Sequence, residues 1–157
     1  MPIPTLNIDN DQAEKILSLR EDHFTDMKSR AVTPAKLTKA ISAMANADGG
    51  EVYIGVAESD GIFSWEGFGD EEEANGHLQI FERLFPLGDG FQYEFLASPQ
   101  EAGFVLHIVV QRSSAIRRAS DGKIYLRRGA RRNLWIPTRE SRSWKGTRGS
   151  HRSKQNL

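Results

Sequence analysis

Residues 43–61 read AMANADGGEVYIGVAESDG, and this stretch constrains the fold more than any other. It holds a helix end, a two-glycine turn, an apolar strand and a second turn carrying carboxylates. Thr33-Pro34 opens the helix, with a hydroxyl at the N-cap and proline at the first helical position. Leu37, Ile41, Met44 and Ala45 then recur at helical spacing and predict one buried stripe. Gly49-Gly50 supplies the positive φ that turns the chain. Val52, Ile54 and Val56 alternate and predict a strand with these three on one face. Glu58 to Gly61 has turn composition, and residues 62–65 return as a second strand. Helix, tight reversal and hairpin in this order call for a helix packed on a small sheet.

The flanking chain adds to that unit. Residues 1–10 read as an extended arm. Asp9 or Asn10 caps a short helix ending near Leu19. Residues 23–28 predict a short strand with Phe24, Asp26 and Lys28 on one face. Residues 70–85 predict a helix with an acidic first turn, an apolar stripe of Leu78, Phe81, Leu84 and Phe85, and a stop at Pro86. Residues 91–97 and 104–111 predict two strands, with Leu106, Ile108 and Val110 on one face and Val109 also well buried. A basic loop at 113–120 leads through Asp121-Gly122 into a last strand, 123–127. The expected fold is α/β (α+β): one domain, with a small, mostly antiparallel or mixed sheet of β-hairpins and two or three flanking helices. The domain is expected over 11–137, followed by a disordered basic tail over 138–157.

A chain of 157 residues supports one domain with a real core. Without cysteine there are no disulfides and no thiolate metal sites. No apolar run reaches the roughly 18 residues of a membrane span. The N-terminal residues lack a basic and then apolar leader. A soluble, cytoplasmic protein without membrane contact is expected.

The net charge of zero hides an asymmetry. Residues 111–157 carry 14 of the 21 Lys and Arg but 2 of the 21 Asp and Glu, leaving 7 basic and 19 acidic residues in 1–110. A basic part of this kind points to nucleic acid or another acidic partner, the alternative being neutralisation by the acidic part of the same chain. Arg117, Arg118, Arg127, Arg128, Arg131 and Arg132 are candidates for a phosphate track, with Tyr125 and Trp135 for base stacking. The competing reading is a solubilising tail beside a half-buried Tyr125.

The sequence has no phosphate-binding GxxxxGK[ST] loop, and its four histidines are scattered. Three carboxylates, Glu21, Asp26 and Glu58, stand at the ends of predicted elements that could pair as neighbours. Converging, they could hold a hard divalent cation such as Mg²⁺ or Mn²⁺. Spacing alone favours ordinary solvated acids.

The run from Ala40 to Val56, AISAMANADGGEVYIGV, resembles the AFANTDGGxLxIGV signature of the Schlafen AlbA-like domain family. Glu21-x-x-x-x-Asp26-Met27-Lys28 resembles its ExxxxE[FL]K motif, and Tyr125-Leu126-Arg127-Arg128-Gly129 its YxRxG strand. The matches keep the family's order. The resemblance implies an α/β nucleic-acid-binding domain, with RNA favoured over DNA. It also implies metal-dependent endoribonuclease activity on tRNA or other structured RNA, with Glu21, Asp26 and Glu58 as catalytic and metal-binding residues. Here Asp26 stands for the family's Glu, Glu58 for its Asp, and Ala57 for its first Asp. Lys28 and the arginines would contact phosphate. The alternatives are a non-catalytic DNA-binding regulator and a nucleotide-binding module. A homodimer is expected, because a small sheet has open edges.

Overall fold

The computed structural model describes residues 3–84, 90–130 and 133–137, without the side chains of 77, 80, 81, 83 and 84. Arg131, Arg132, the predicted tail and the predicted helix stop at Pro86 lie outside the described residues.

The elements run β1 (Thr5–Asn7), α1 (Asn10–Ser18), β2 (Thr25–Lys28), α2 (Pro34–Asn46), β3 (Gly50–Ile54), β4 (Val56–Ser59), β5 (Ile62–Trp65), α3 (Glu71–Leu84), β6 (Phe91–Ala97), β7 (Phe104–Val110), β8 (Ile124–Arg127) and β9 (Asn133–Ile136). A five-stranded sheet has the order β1-β6-β7-β3-β2. Its outer pairs, β1 with β6 and β2 with β3, are parallel, and the inner pairs are antiparallel. The hairpin β4–β5 and the ribbon β8–β9 are separate two-stranded sheets. The α+β class and the mixed sheet agree with the sequence reading.

Local chemistry accounts for the helices. Asp9 caps α1 in a reciprocal capping box with Gln12. The Thr33 hydroxyl accepts from the Lys36 N–H at the start of α2. Asp70 accepts from the Glu73 N–H at the head of α3, where Glu71, Glu72 and Glu73 suit the helix dipole.

Two apolar layers pack on the sheet. Leu37, Ile41 and Met44 of α2 and Ala74 and Leu78 of α3 cover one face, against Val52, Ile54, Phe95, Leu106 and Ile108. Each of these side chains larger than alanine contributes about 1.5–3 kcal/mol by leaving water. Ala13, Ile16 and Leu17 of α1 join Val56, Phe63 and Trp65 of the hairpin over Met27, Tyr53 and Val105 on the other face. The helix α2 is buried on two sides, because its small Ala43 also lets the ribbon approach through Tyr125.

Four expectations change. Val56 does not share a face with Val52 and Ile54. Gly55, at φ 107, breaks the strand and sends Val56 into the second cluster. Val109 is half-buried, since it points to the incompletely covered sheet face, opposite Ile108 and Val110. The N-terminal arm is partly β1, so the packed unit begins before residue 11. Strand β9 was not expected, because Asn133-Leu134-Trp135-Ile136 is a short run of poor alternation.

Candidate functional site

The predicted chemistry gathers at β2, one edge of the five-stranded sheet. In a parallel pair only alternate residues turn their backbone groups toward the neighbour, so Thr25 and Met27 present theirs outward. Both are answered by side chains. Glu21 Oε2 accepts from the Met27 N–H at 3.1 Å. Arg127 Nη2 donates to the Thr25 carbonyl at 3.0 Å and to the Asp22 carbonyl at 2.7 Å. These bonds occupy part of the edge from within the chain, which blunts its tendency to recruit a second copy.

Asp26 points to the other side of β2 and is 1% exposed. Lys28 Nζ lies 3.1 Å and Arg127 Nη1 3.7 Å from its Oδ2. The pairing is ionic, since neither Asp26 oxygen completes a well-directed hydrogen bond. Burial pushes the Asp26 carboxyl up to about 6, and the Glu21 carboxyl beside it pushes the same way, against the Lys28 and Arg127 cations.

Glu58 lies on the exposed half of β4. It pairs across the hairpin with Phe63 and shares the face of Val56 and Phe63. That face lies toward α1, and Phe63, Ile62, Glu21, Arg20 and Ala130 line one open cleft of about 580 Å³. The structure brings Glu21 and Asp26 together, and Glu58 shares the hairpin face of Phe63, which lines the same cleft as Glu21. No set of three or more His, Asp or Glu side chains is placed to hold a metal ion among the described residues. At Asp26 the positive charge is supplied by Lys28 and Arg127.

The basic residues divide into buried and exposed sets. Arg127, 1% exposed, is turned inward and cannot meet a phosphate, a correction that follows from its commitment to β2. Tyr125, 7% exposed, is likewise closed to a stacking base. Its ring packs on Ala43 and Ala119, and its hydroxyl donates to Asp121 Oδ2 at 2.6 Å. Burial and this bond push Tyr125 up to about 12. Desolvation works against the Asp121 carboxylate, yet the Tyr125 hydroxyl, the Lys123 N–H and the charges of Lys39 and Lys123 hold it below the usual range. Arg117 is half-buried, with its Nε donating to Ser113 Oγ at 3.1 Å. Arg118 is exposed and donates to the Gly122 carbonyl at 2.9 Å. Arg128 is exposed after β8, and Lys28 is half-buried at Asp26.

The exposed cations meet at the turn before β8. Lys39 of α2 lies 5.4 Å from the Tyr125 ring centre, and Lys123 lies 5.0 Å from the Trp135 ring centre. With Arg118 they surround Asp121-Gly122. The sequence reading passed over Lys39 and Lys123, because neither belongs to an arginine run. It also passed over Asn46, whose Nδ2 donates to the carbonyls of Arg117 and Tyr125, each at 2.8 Å, and whose Oδ1 accepts from the Arg117 N–H at 2.7 Å. Asn46 pins the basic loop and β8 to the end of α2. His107 bridges Glu94 at 2.7 Å and Glu51 at 2.9 Å on the far sheet face, away from this surface.

The family model described as "Schlafen, AlbA_2" matches residues 21–134. No curated protein sequence matches. Among solved structures, the chain is similar to the DIP2311 protein from Corynebacterium diphtheriae, at a TM-score of 0.55 and 16% identity. That match covers 87% of this chain and 28% of the other, a likeness of fold. No helix among the described residues is long and apolar enough to cross a membrane. With the family's motifs placed on β2, α2–β3 and β8, the chain belongs to the Schlafen AlbA_2 family, and at the level of that family a nucleic-acid-binding or related function is supported.

Proposed function

We propose that this protein binds nucleic acid, RNA in preference to DNA, through the surface formed by α2 and the β8–β9 ribbon. The observation that carries the reading is the grouping of exposed Lys39, Arg118 and Lys123 around one turn, beside the half-exposed ring of Trp135. Three cations on one face against a single carboxylate, Asp121, suit phosphate contacts. Arg128 extends the track past β8.

The test is fluorescence anisotropy with labelled tRNA and DNA over a salt series. Affinity is expected to fall with salt, and the double variant Lys39→Ala, Lys123→Ala to flatten the slope by about 0.7–0.9 per lost phosphate contact. An unchanged slope in that variant would place the interface elsewhere.

Metal-dependent cleavage is the second reading, favoured by the adjacency of Glu21 and Asp26. It requires Mg²⁺ or Mn²⁺ to displace Lys28 and Arg127 from Asp26 and to recruit Glu58. The same RNA, incubated with either ion or with EDTA, is expected to remain intact. Cleavage that disappears in Glu21→Ala, Asp26→Ala and Glu58→Ala would establish the nuclease instead. A homodimer remains a proposal, checked by sedimentation, and its natural place is the exposed outer side of β1.

A further inference from the structure

We propose that Trp135 is a base-stacking residue and that the ligand of this surface is an unpaired strand rather than a duplex; this rests on nucleic-acid binding by the same face. Trp135 lies directly opposite Tyr125 in the β8–β9 register, so both rings project from the same side of the ribbon. Tyr125 fills the slot against α2 and is tied down by Asp121. Trp135 is thereby backed by a fixed aromatic neighbour and remains 43% exposed. The Lys123 ammonium lies over the indole, 5.0 Å from its centre, so a base stacking on that face would displace it and leave it free to meet the nucleotide's phosphate. Lys39 stands at the Tyr125 end of the same ledge.

An exposed indole flanked by cations matches the chemistry of a nucleotide, a flat aromatic face joined to a phosphate. In a duplex the base faces are hidden in the stack, and only phosphate and groove edges are offered. An unpaired base presents its face, and stacking on an aromatic side chain is tolerant of sequence. The ledge therefore selects for strand state rather than for base identity.

The test measures anisotropy of labelled oligouridine of about 12 nucleotides, and of an RNA duplex of the same length, on the full chain. Trp135→Ala is expected to weaken single-strand binding roughly 5- to 150-fold, while duplex binding stays within about twofold. Trp135→Leu, which keeps apolar bulk without a π face, is expected to lose as much, and Trp135→Phe to retain most of the affinity. Circular dichroism checks that each variant is folded. Equal losses on both ligands, or a single-strand affinity unmoved by Trp135→Ala, would overturn the stacking role while leaving salt-sensitive binding in place. Wild-type protein that binds neither ligand would overturn the stacking role and the binding function together.

Discussion

Arg127 Nη2 donates to the Thr25 carbonyl at 3.0 Å and joins β8 to the outer edge of β2 across 102 residues of chain. This one side chain binds a sheet edge, counters a buried carboxylate and ties down the ribbon that carries the exposed cations. Arg127→Met is therefore expected to destabilise the protein by about 1–3 kcal/mol near neutral pH, since it removes the donor to two carbonyls and leaves Asp26 paired with Lys28 alone. Arg127→Lys keeps the charge but cannot reproduce the guanidinium fork over two carbonyls, and should lose part of that amount. Urea unfolding measures both. A loss below about 1 kcal/mol for the methionine variant would contradict the role assigned to Arg127.

Asp26 makes stability depend on pH in a defined direction. Its carboxyl rises from 3.8 to about 6 on folding, chiefly through burial. The folded state then holds a proton that the unfolded chain has released. Its contribution is complete below the unfolded value and is lost as pH rises through about 6. Stability measured relative to Asp26→Asn should fall between about pH 4 and about pH 7, by on the order of 2–3 kcal/mol. Parallel pH profiles for wild type and Asp26→Asn would show that the carboxyl does not titrate in this range.

The cations at Asp26 also predict the response to metal. Millimolar Mg²⁺ or Mn²⁺ is expected to move the melting temperature by less than about 1 °C, because a ligand without a folded-state site gives no linkage stabilisation. A larger, saturable rise that vanishes in Asp26→Asn would reveal a metal site and revive the nuclease reading.

Gly49 tests the two-glycine turn. Its φ is +80, and a Cβ there would lie 2.6 Å from the Val110 carbonyl oxygen. Gly49→Ala combines an unfavourable backbone conformation with a clash against main chain. It should cost more than about 1 kcal/mol in thermal or urea unfolding. A neutral substitution would mean that the turn can open without disturbing β7.

Local chemistry made much of the fold legible. The Thr33-Pro34 start, the Leu37–Ile41–Met44 stripe, Gly49-Gly50 and the turn at Asp60-Gly61, where φ is 51 and 77, act over a few residues and read directly from order and spacing. The same holds for the face of β7 that carries Leu106, Ile108 and Val110. The family motifs were also in the sequence, and they located β2, α2–β3 and β8 as the elements that matter.

Tertiary structure decided what those motifs do. A sequence shows Arg127 and Arg128 as equal neighbours, yet strand alternation turns Arg127 into the protein and leaves Arg128 outside. It shows Lys39 on a helix and Lys123 in a turn, and only the packing of β8 on α2 brings them to one surface. It shows three carboxylates with suggestive spacing. The break at Gly55 then puts Glu58 on a separate hairpin, while Asp26 is buried against Lys28 and Arg127. Periodicity fixes which residues share an element and a face; long-range packing sets burial and charge pairing, and those decide whether an arginine meets a phosphate or a buried aspartate.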